Sequence, residues 1–320
     1  MRRVLVLGGT GWLGREVARA ARDGGAEVVC LARGESGAVP DGVELIRANR
    51  RAPGAYDEVA GDWDDVIEFA YEPELVGPAL DALAERAAHW TLISSVSVYA
   101  DNATPHADET ADVVVPQDLS QYPDAKAAAE QATASRLADR LLIARPGLIV
   151  GPGDPSDRFG YWPARLRRGG RVLHPTVAGR FVQVIDVADL ARWTAHAGGN
   201  RVTGTVDAVG AIHTMADFFS ATRASVGFDG ELVSADDDAL LAEDVRYWAG
   251  PRSLPLWLPR TDAGFAQRDG SAFLRSGGSL RPLTDTLSRV LADEVDRGIE
   301  RARRSGLTSA EEDAVLQRLL

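Results

Sequence analysis

Short apolar runs alternate with helical patterns through the first half of the chain. Val4-Leu5-Val6-Leu7 reads as a strand and passes through Gly8-Gly9-Thr10-Gly11-Trp12-Leu13-Gly14 into the helical pattern Glu16 to Ala21. Further strands are predicted at Glu27–Arg33, Val43–Ile46, Asp65–Ala70, Trp90–Ile93 and Leu141–Ala144, with helices at Leu80–His89 and from Tyr122 to about Leu137. Continuous apolar strands separated by helices indicate a parallel sheet buried on both faces. The fold class expected is α/β, a Rossmann-type doubly wound parallel sheet with a smaller C-terminal lobe. Residues 1–150 form the first domain, with about 181–210 returning to it through Phe181–Ala191 and a last strand at Thr205–Val209, and 151–320 form mainly the second.

Composition narrows the class. A hydrophobic content of 45% with 26% charged residues is that of a water-soluble globular chain. No apolar run is long enough to span a membrane and no signal-peptide pattern opens the chain, so the expectation is a cytoplasmic protein without a membrane partner. A net charge of -12 opposes binding to a phosphate backbone, so no nucleic-acid partner is expected. The single cysteine, Cys30, lies in an apolar run and reads as a small core residue. The five histidines have no metal-ligand spacing, and no metal is expected.

The chemistry begins at the glycines. Gly9, Gly11 and Gly14 have the G-x-G-x-x-G spacing between a first strand and a helix, the arrangement in which backbone approaches a pyrophosphate and a helix N-terminus meets it. Gly8, Gly11, Trp12, Leu13 and Gly14 are therefore candidate dinucleotide contacts. The second strand ends in Ala32-Arg33, without the acidic residue that holds a free ribose hydroxyl, so Arg33 is expected to clamp the extra phosphate of NADP(H). NAD(H) is the alternative, since Glu35 stands close by. Asn49, after the third strand, can hydrogen-bond an adenine edge, while Ala70 and Tyr71 after the fourth strand and Pro146 after the sixth complete the expected cofactor set. Glu68, in the fourth strand, needs a partner or a place at the strand's end.

Of the 35 basic residues counted as lysine or arginine, only Lys126 is a lysine, and it stands four residues after Tyr122, on the same face of a helix. A planar guanidinium cannot replace a compact ammonium beside a phenol. A Tyr-x-x-x-Lys also arises by accident, and one lysine must lie somewhere.

Gly8-x-x-Gly11-x-x-Gly14, Ser94-Ser95-Val96-Ser97-Val98-Tyr99, Tyr122-x-x-x-Lys126 and Arg145-Pro146-Gly147 occur in the order and approximate spacing of the extended short-chain dehydrogenase/reductases. The chain resembles the NAD-dependent epimerase/dehydratase family of that group. The resemblance implies that Ser95 is the catalytic serine, Tyr122 the general acid/base, and Lys126 the residue that holds the nicotinamide ribose and lowers the tyrosine pKa. A nearby cation favours a phenolate by roughly 1–3 units. It also implies a small-molecule substrate, a possible homodimer through the helices flanking Tyr122, and a substrate-binding role for the C-terminal lobe. Ser97, Tyr99, Arg158 and His174 are candidate substrate contacts there or nearby.

The leading expectation is an oxidoreductase that moves hydride between NADP(H) and a carbonyl or alcohol. The alternative is a nucleotide-sugar epimerase or dehydratase with tightly held NAD, in which Arg158 or Arg180 meets a diphosphate. A non-catalytic dinucleotide sensor ranks below both, because it needs none of the three catalytic side chains. Trp248 and Trp257 are read as core before pocket lining, and Ser309-x-x-Glu312 as a capping box for a final helix.

Overall fold

The computed structural model describes residues 1–319, with the side chain of Ala138 set aside. In chain order the first elements are β1 (Arg3–Leu7), α1 (Trp12–Asp23), β2 (Glu27–Ala32), β3 (Glu44–Arg47), β4 (Asp65–Glu68), α2 (Pro73–Leu83), β5 (Trp90–Ile93), α3 (Tyr122–Leu137), β6 (Leu141–Pro146) and β7 (Leu148–Val150). They are followed by α4 (Arg158–Arg167), β8 (Arg171–Pro175), β9 (Phe181–Asp186), α5 (Val187–Gly199), β10 (Gly204–Ala208), β11 (Ile212–Thr214) and α6 (Met215–Val226). The last are β12 (Glu231–Ala235), α7 (Asp237–Ala242), β13 (Arg246–Trp248), β14 (Ser253–Pro255), α8 (Ser271–Arg275), α9 (Leu283–Arg297) and α10 (Ser309–Leu319).

The chain divides into two compact units. The first comprises Met1–Ile149, Ile185–Ala211 and Arg268–Leu280, and the second Val150–Val184, Ile212–Gln267 and Arg281–Leu320. In the first unit a seven-stranded sheet runs β10-β6-β5-β4-β1-β2-β3, every pair parallel. Alternation along β1 explains why it is apolar throughout. Val4 and Val6 pack with Val17 of α1 and Leu190 of α5 in one core, while Leu5 and Leu7 pack with Leu80 of α2 and Ala129 of α3 in the other. The strand order turns back between β1 and β4, and in such sheets ligands gather at the carboxyl ends beside that point.

Two sequence expectations change here. The helix before β5 starts at Pro73 and ends at Leu83, so the run Leu80–His89 is only its tail and the approach to β5. Pro73 occupies the first turn, where a missing N–H costs nothing. The first unit also takes in Arg268–Leu280, a stretch the sequence placed in the C-terminal lobe.

The second unit carries the parallel pairs β8–β12 and β13–β14 and the antiparallel pair β9–β11. Trp257 is fully buried and donates to Asp237, which also pairs with Arg180. Trp248 differs. It is half-buried, holds a φ of 68°, and lies edge-on to Phe265 with Arg158 5.0 Å above its ring. The final helix is capped one residue earlier than expected: Thr308 and Glu311 form the box, the Thr308 amide reaching Glu311 at 2.8 Å, while Glu312 turns inward to pair with Arg165. No helix among the described residues is long and apolar enough to cross a membrane.

Candidate functional site

The glycine turn after β1 is shaped by its own backbone. Gly8 holds a φ of 105°, and a Cβ at Gly14 would stand 2.5 Å from the Gly8 carbonyl oxygen, so helix α1 can pack against the turn only with glycine there. Gly11 is the N-cap of α1 and offers no side-chain cap to the N–H groups of the first turn. Cys30 lies under this turn, fully buried, its thiol pushed up to about 12 by burial; it is an inert packing residue.

A cleft of about 350 Å³ opens at this point, lined by Gly8, Thr10 and Gly11, by Arg33 and Ser36 after β2, by Asn49, Arg50 and Arg51 after β3, and by Phe69, Ala70 and Tyr71 after β4. A glycine backbone at the start of a helix fits the pyrophosphate of a dinucleotide, while Glu35 and Glu72 share the lining with the arginines, of which Arg33 pairs with Glu35, Arg50 with Glu68 and Arg51 with Glu74. Trp12 and Leu13 open α1, with Leu13 packed on the core, and Pro146 is buried at the end of β6. Arg33 is exposed and pairs with Glu35 at 3.2 Å. Asn49 is exposed, its Oδ1 accepting from the Arg51 amide at 3.1 Å.

Glu68 has the partner the sequence did not identify. It is buried at the end of β4 and forms a two-pronged pair with buried Arg50, one arm at 3.0 Å, and also accepts the Ala70 amide at 2.7 Å. Arg50 donates to the Tyr56 hydroxyl at 3.0 Å. A carboxylate at the end of β4 and an arginine three residues past the end of β3 are the only signals the sequence holds for this pair.

Helix α3 turns a stripe of Lys126, Glu130, Thr133 and Leu137 inward at helical spacing. Lys126 is 4% exposed and donates to the carbonyls of Ile93, the last residue of β5, at 2.6 Å and of Phe69, just past β4, at 3.3 Å. Burial pulls its ammonium down to about 8, against the opposing pull of Glu68, Glu72 and Glu130. Its Nζ lies 4.8 Å from the Tyr71 ring centre and 5.9 Å from that of Tyr122, and the two rings meet edge to face at 5.3 Å. Tyr122 keeps 44% of its surface exposed.

Ser95 follows β5 and caps a single helical turn. Its Oγ accepts the Ser97 amide at 3.1 Å and donates to the Ser97 hydroxyl at 3.1 Å. Ser94 is buried more deeply, and among the described residues its hydroxyl has no hydrogen-bond partner.

Tyr99 lies outside this group. It is 2% exposed, its hydroxyl donates to Asp207 at 2.6 Å and accepts from Arg145 at 2.9 Å, and the Arg268 guanidinium stacks on its ring at 3.3 Å. A hydroxyl so occupied is framework, not a substrate contact. Arg145 in turn pairs in two places with Glu130 of α3, at 2.9 and 2.6 Å. In the second unit His174 is buried in β8, its Nδ1 donating to the Pro175 carbonyl at 2.8 Å, and burial pulls its pKa below the ordinary range. It is a neutral packing residue against Phe219. Arg158 remains accessible beside Trp248, whereas Arg180 is buried and bonded to Asp237.

No family model matches the chain, and no curated protein matches it in sequence. Solved structures do. A candidate epimerase from Burkholderia cenocepacia J2315 superposes with a TM-score of 0.71 at 21% identity, over 92% of this chain and 98% of that one. UDP-N-acetylglucosamine 4-epimerase from Bacillus cereus gives 0.69 at 15% identity, over 94% and 99%. UDP-glucuronic acid 4-epimerase from Bacillus cereus, solved in complex with NAD, gives 0.67 at 14% identity, over 92% and 99%. The chain has the fold of these proteins.

Proposed function

We propose that the protein is an extended short-chain dehydrogenase/reductase that moves hydride between NADP(H) and a carbonyl or alcohol of a small molecule. The observation that carries the reading is the seating of the chain's one lysine, buried on the Ile93 and Phe69 carbonyls beneath the rings of Tyr122 and Tyr71. When bound, the nicotinamide supplies the position that gives or takes hydride. Tyr122 gives its hydroxyl proton to the oxygen of a carbonyl being reduced, or takes the proton from an alcohol being oxidised. Ser95 Oγ donates to the same oxygen as charge develops on it. Lys126 holds the ribose and keeps positive charge beside the phenol. The glycine turn and the first turn of α1 take the pyrophosphate, Asn49 the adenine, and Arg33 the 2′-phosphate, in exchange for its contact with Glu35. The second unit receives the substrate, with Arg158 as its accessible cation.

Tryptophan fluorescence titration of nucleotide-free protein with NADPH and NADH tests the cofactor half of the proposal, and NADPH is expected to bind more tightly. Tyr122→Phe is expected to lower turnover at least ~100-fold while leaving cofactor affinity within about twofold. Near-normal turnover of that variant defeats the reading.

A second reading, a nucleotide-sugar epimerase that retains NAD and returns hydride within one cycle, draws support from the names of the structural neighbours. Arg158, not the buried Arg180, is then the residue to meet a diphosphate. Conversion of a nucleotide sugar without added cofactor decides for it, particularly if NAD copurifies.

A further inference from the structure

Tyr71 belongs to no catalytic motif, yet it touches both Tyr122 and Lys126. It follows β4 by three residues and lines the cleft, half-buried. Its ring packs edge to face on Tyr122 at 5.3 Å, nearly perpendicular at 87°, and lies 4.8 Å from the Lys126 Nζ, within cation–π range. The Phe69 and Ile93 carbonyls hold the ammonium from the sheet side. Tyr71 thus stands where water from the cleft would otherwise reach it.

We propose that Tyr71 is a positioning residue that acts through Lys126: its ring covers the ammonium and braces the Tyr122 ring, so that the charge reaches the phenol without a shell of water between them. The proposal rests on the Ser95, Tyr122 and Lys126 assignment for its role in turnover, but its physical content is independent of any substrate.

The charged groups facing Lys126 set what the cover must do. Glu68 comes from β4, Glu72 from the start of α2 and Glu130 from α3 itself, and all three favour the ammonium. Two of them are already occupied, Glu68 by Arg50 and Glu130 by Arg145. Desolvation outweighs the three together. Removing the ring lets water in and strengthens the hydration of the ammonium more than the lost ring face weakens it, because a cation–π contact is worth only about 0.5–2 kcal/mol while full burial shifts a lysine by up to several units. Covering an ammonium also strengthens its field at the phenol, since the effective dielectric between them falls.

Because Lys126 is the only lysine, protein labelled with ¹³C-lysine gives a single side-chain set that needs no assignment. The Cε shift followed against pH in the nucleotide-free protein is expected to titrate near 8 in the parent and in Tyr71→Phe, which keeps the ring. In Tyr71→Ala and Tyr71→Gln the midpoint is expected to rise by about one unit or more, towards the ~10.4 of a free lysine. Tyr71→Gln fills the space with a polar group and serves where the alanine variant fails to fold. A midpoint within ~0.3 unit of the parent in the folded variants overturns the proposal, as does an equal rise in Tyr71→Phe. Loss of turnover in Tyr122→Phe is a separate measurement, so failure of the covering role and failure of the catalytic reading are told apart.

Discussion

Lys126 and Tyr122 could be paired from the sequence because helix geometry fixes side chains four residues apart onto one face, whatever the rest of the chain does. Arg50 and Glu68 could not, because their meeting depends on β4 lying beside β1 and on the path of the chain after β3. Both are nearly inaccessible, and Glu68 also satisfies the Ala70 amide. Burying such a pair brings little net stability, but leaving one member alone exposes its full desolvation cost. Arg50→Met is therefore expected to lower unfolding free energy by about 3–5 kcal/mol in urea titration, and the double variant Arg50→Met with Glu68→Leu to recover most of that loss. Equal losses in the single and double variants would mean that the pair stabilises in its own right.

At the scale of elements, the parallel sheet and its order of helices followed from apolar runs, while the ends of elements did not. Pro73 and Pro78 disguise α2, and Thr308 rather than Ser309 caps α10, because Glu312 is drawn inward by Arg165. The entry into β4 and β5 holds a second feature invisible in the pattern. Asp65 and His89, both fully buried, meet at 2.8 Å, and the second ring nitrogen of His89 lies 2.8 Å from the Val202 carbonyl. A carbonyl only accepts, so that nitrogen carries a proton. Burial alone pulls the imidazole down, but Asp65 and the Val202 carbonyl outweigh it and raise His89 above the ordinary 6.5. Burial also pushes Asp65 up from its ordinary 3.8. Both folded values exceed the unfolded ones, so the folded chain holds more protons, and the stabilisation by His89 is complete below about 6.5 and lost as pH rises through its raised value. Lys126, depressed to about 8, acts in the opposite sense as pH rises above that value, in parent and variant alike. The test is therefore the difference between them: the urea midpoint of the parent is expected to fall relative to that of His89→Asn as pH rises from about 6.5 through the raised value of His89. A difference that does not change with pH contradicts this assignment.

Over the whole molecule, local patterns reveal the first unit better than its boundary. Arg268–Leu280 joins that unit through Arg268, which bonds Asp207 and the Asp108 carbonyl, each at 2.7 Å, and through Phe273, buried in its core against Trp193, and no strand-like run announces it. The cleft proposed for the cofactor was legible for the opposite reason, since Gly8, Gly11, Arg33 and Asn49, which line it, all follow strand ends in sequence. Its predicted preference has a consequence for global stability, because a ligand that binds only the folded chain stabilises it by about 2.7 kcal/mol at a hundredfold excess over its Kd. For a cooperative unit of roughly 150–250 residues, that corresponds to a rise in melting temperature of about 5–10 °C. NADPH is expected to produce it at concentrations where NADH produces a fraction of it. Arg33 is exposed and bonded only to Glu35 among the contacts described above, so Arg33→Ala should leave the melting temperature of the free protein unchanged. It should also bring the NADPH shift down to that of NADH. A variant that keeps the NADPH excess would move the selectivity from Arg33 to Arg51 and Ser36, which line the same end of the cleft. Equal shifts by the two nucleotides in the parent would remove the selectivity altogether and favour the retained-NAD reading.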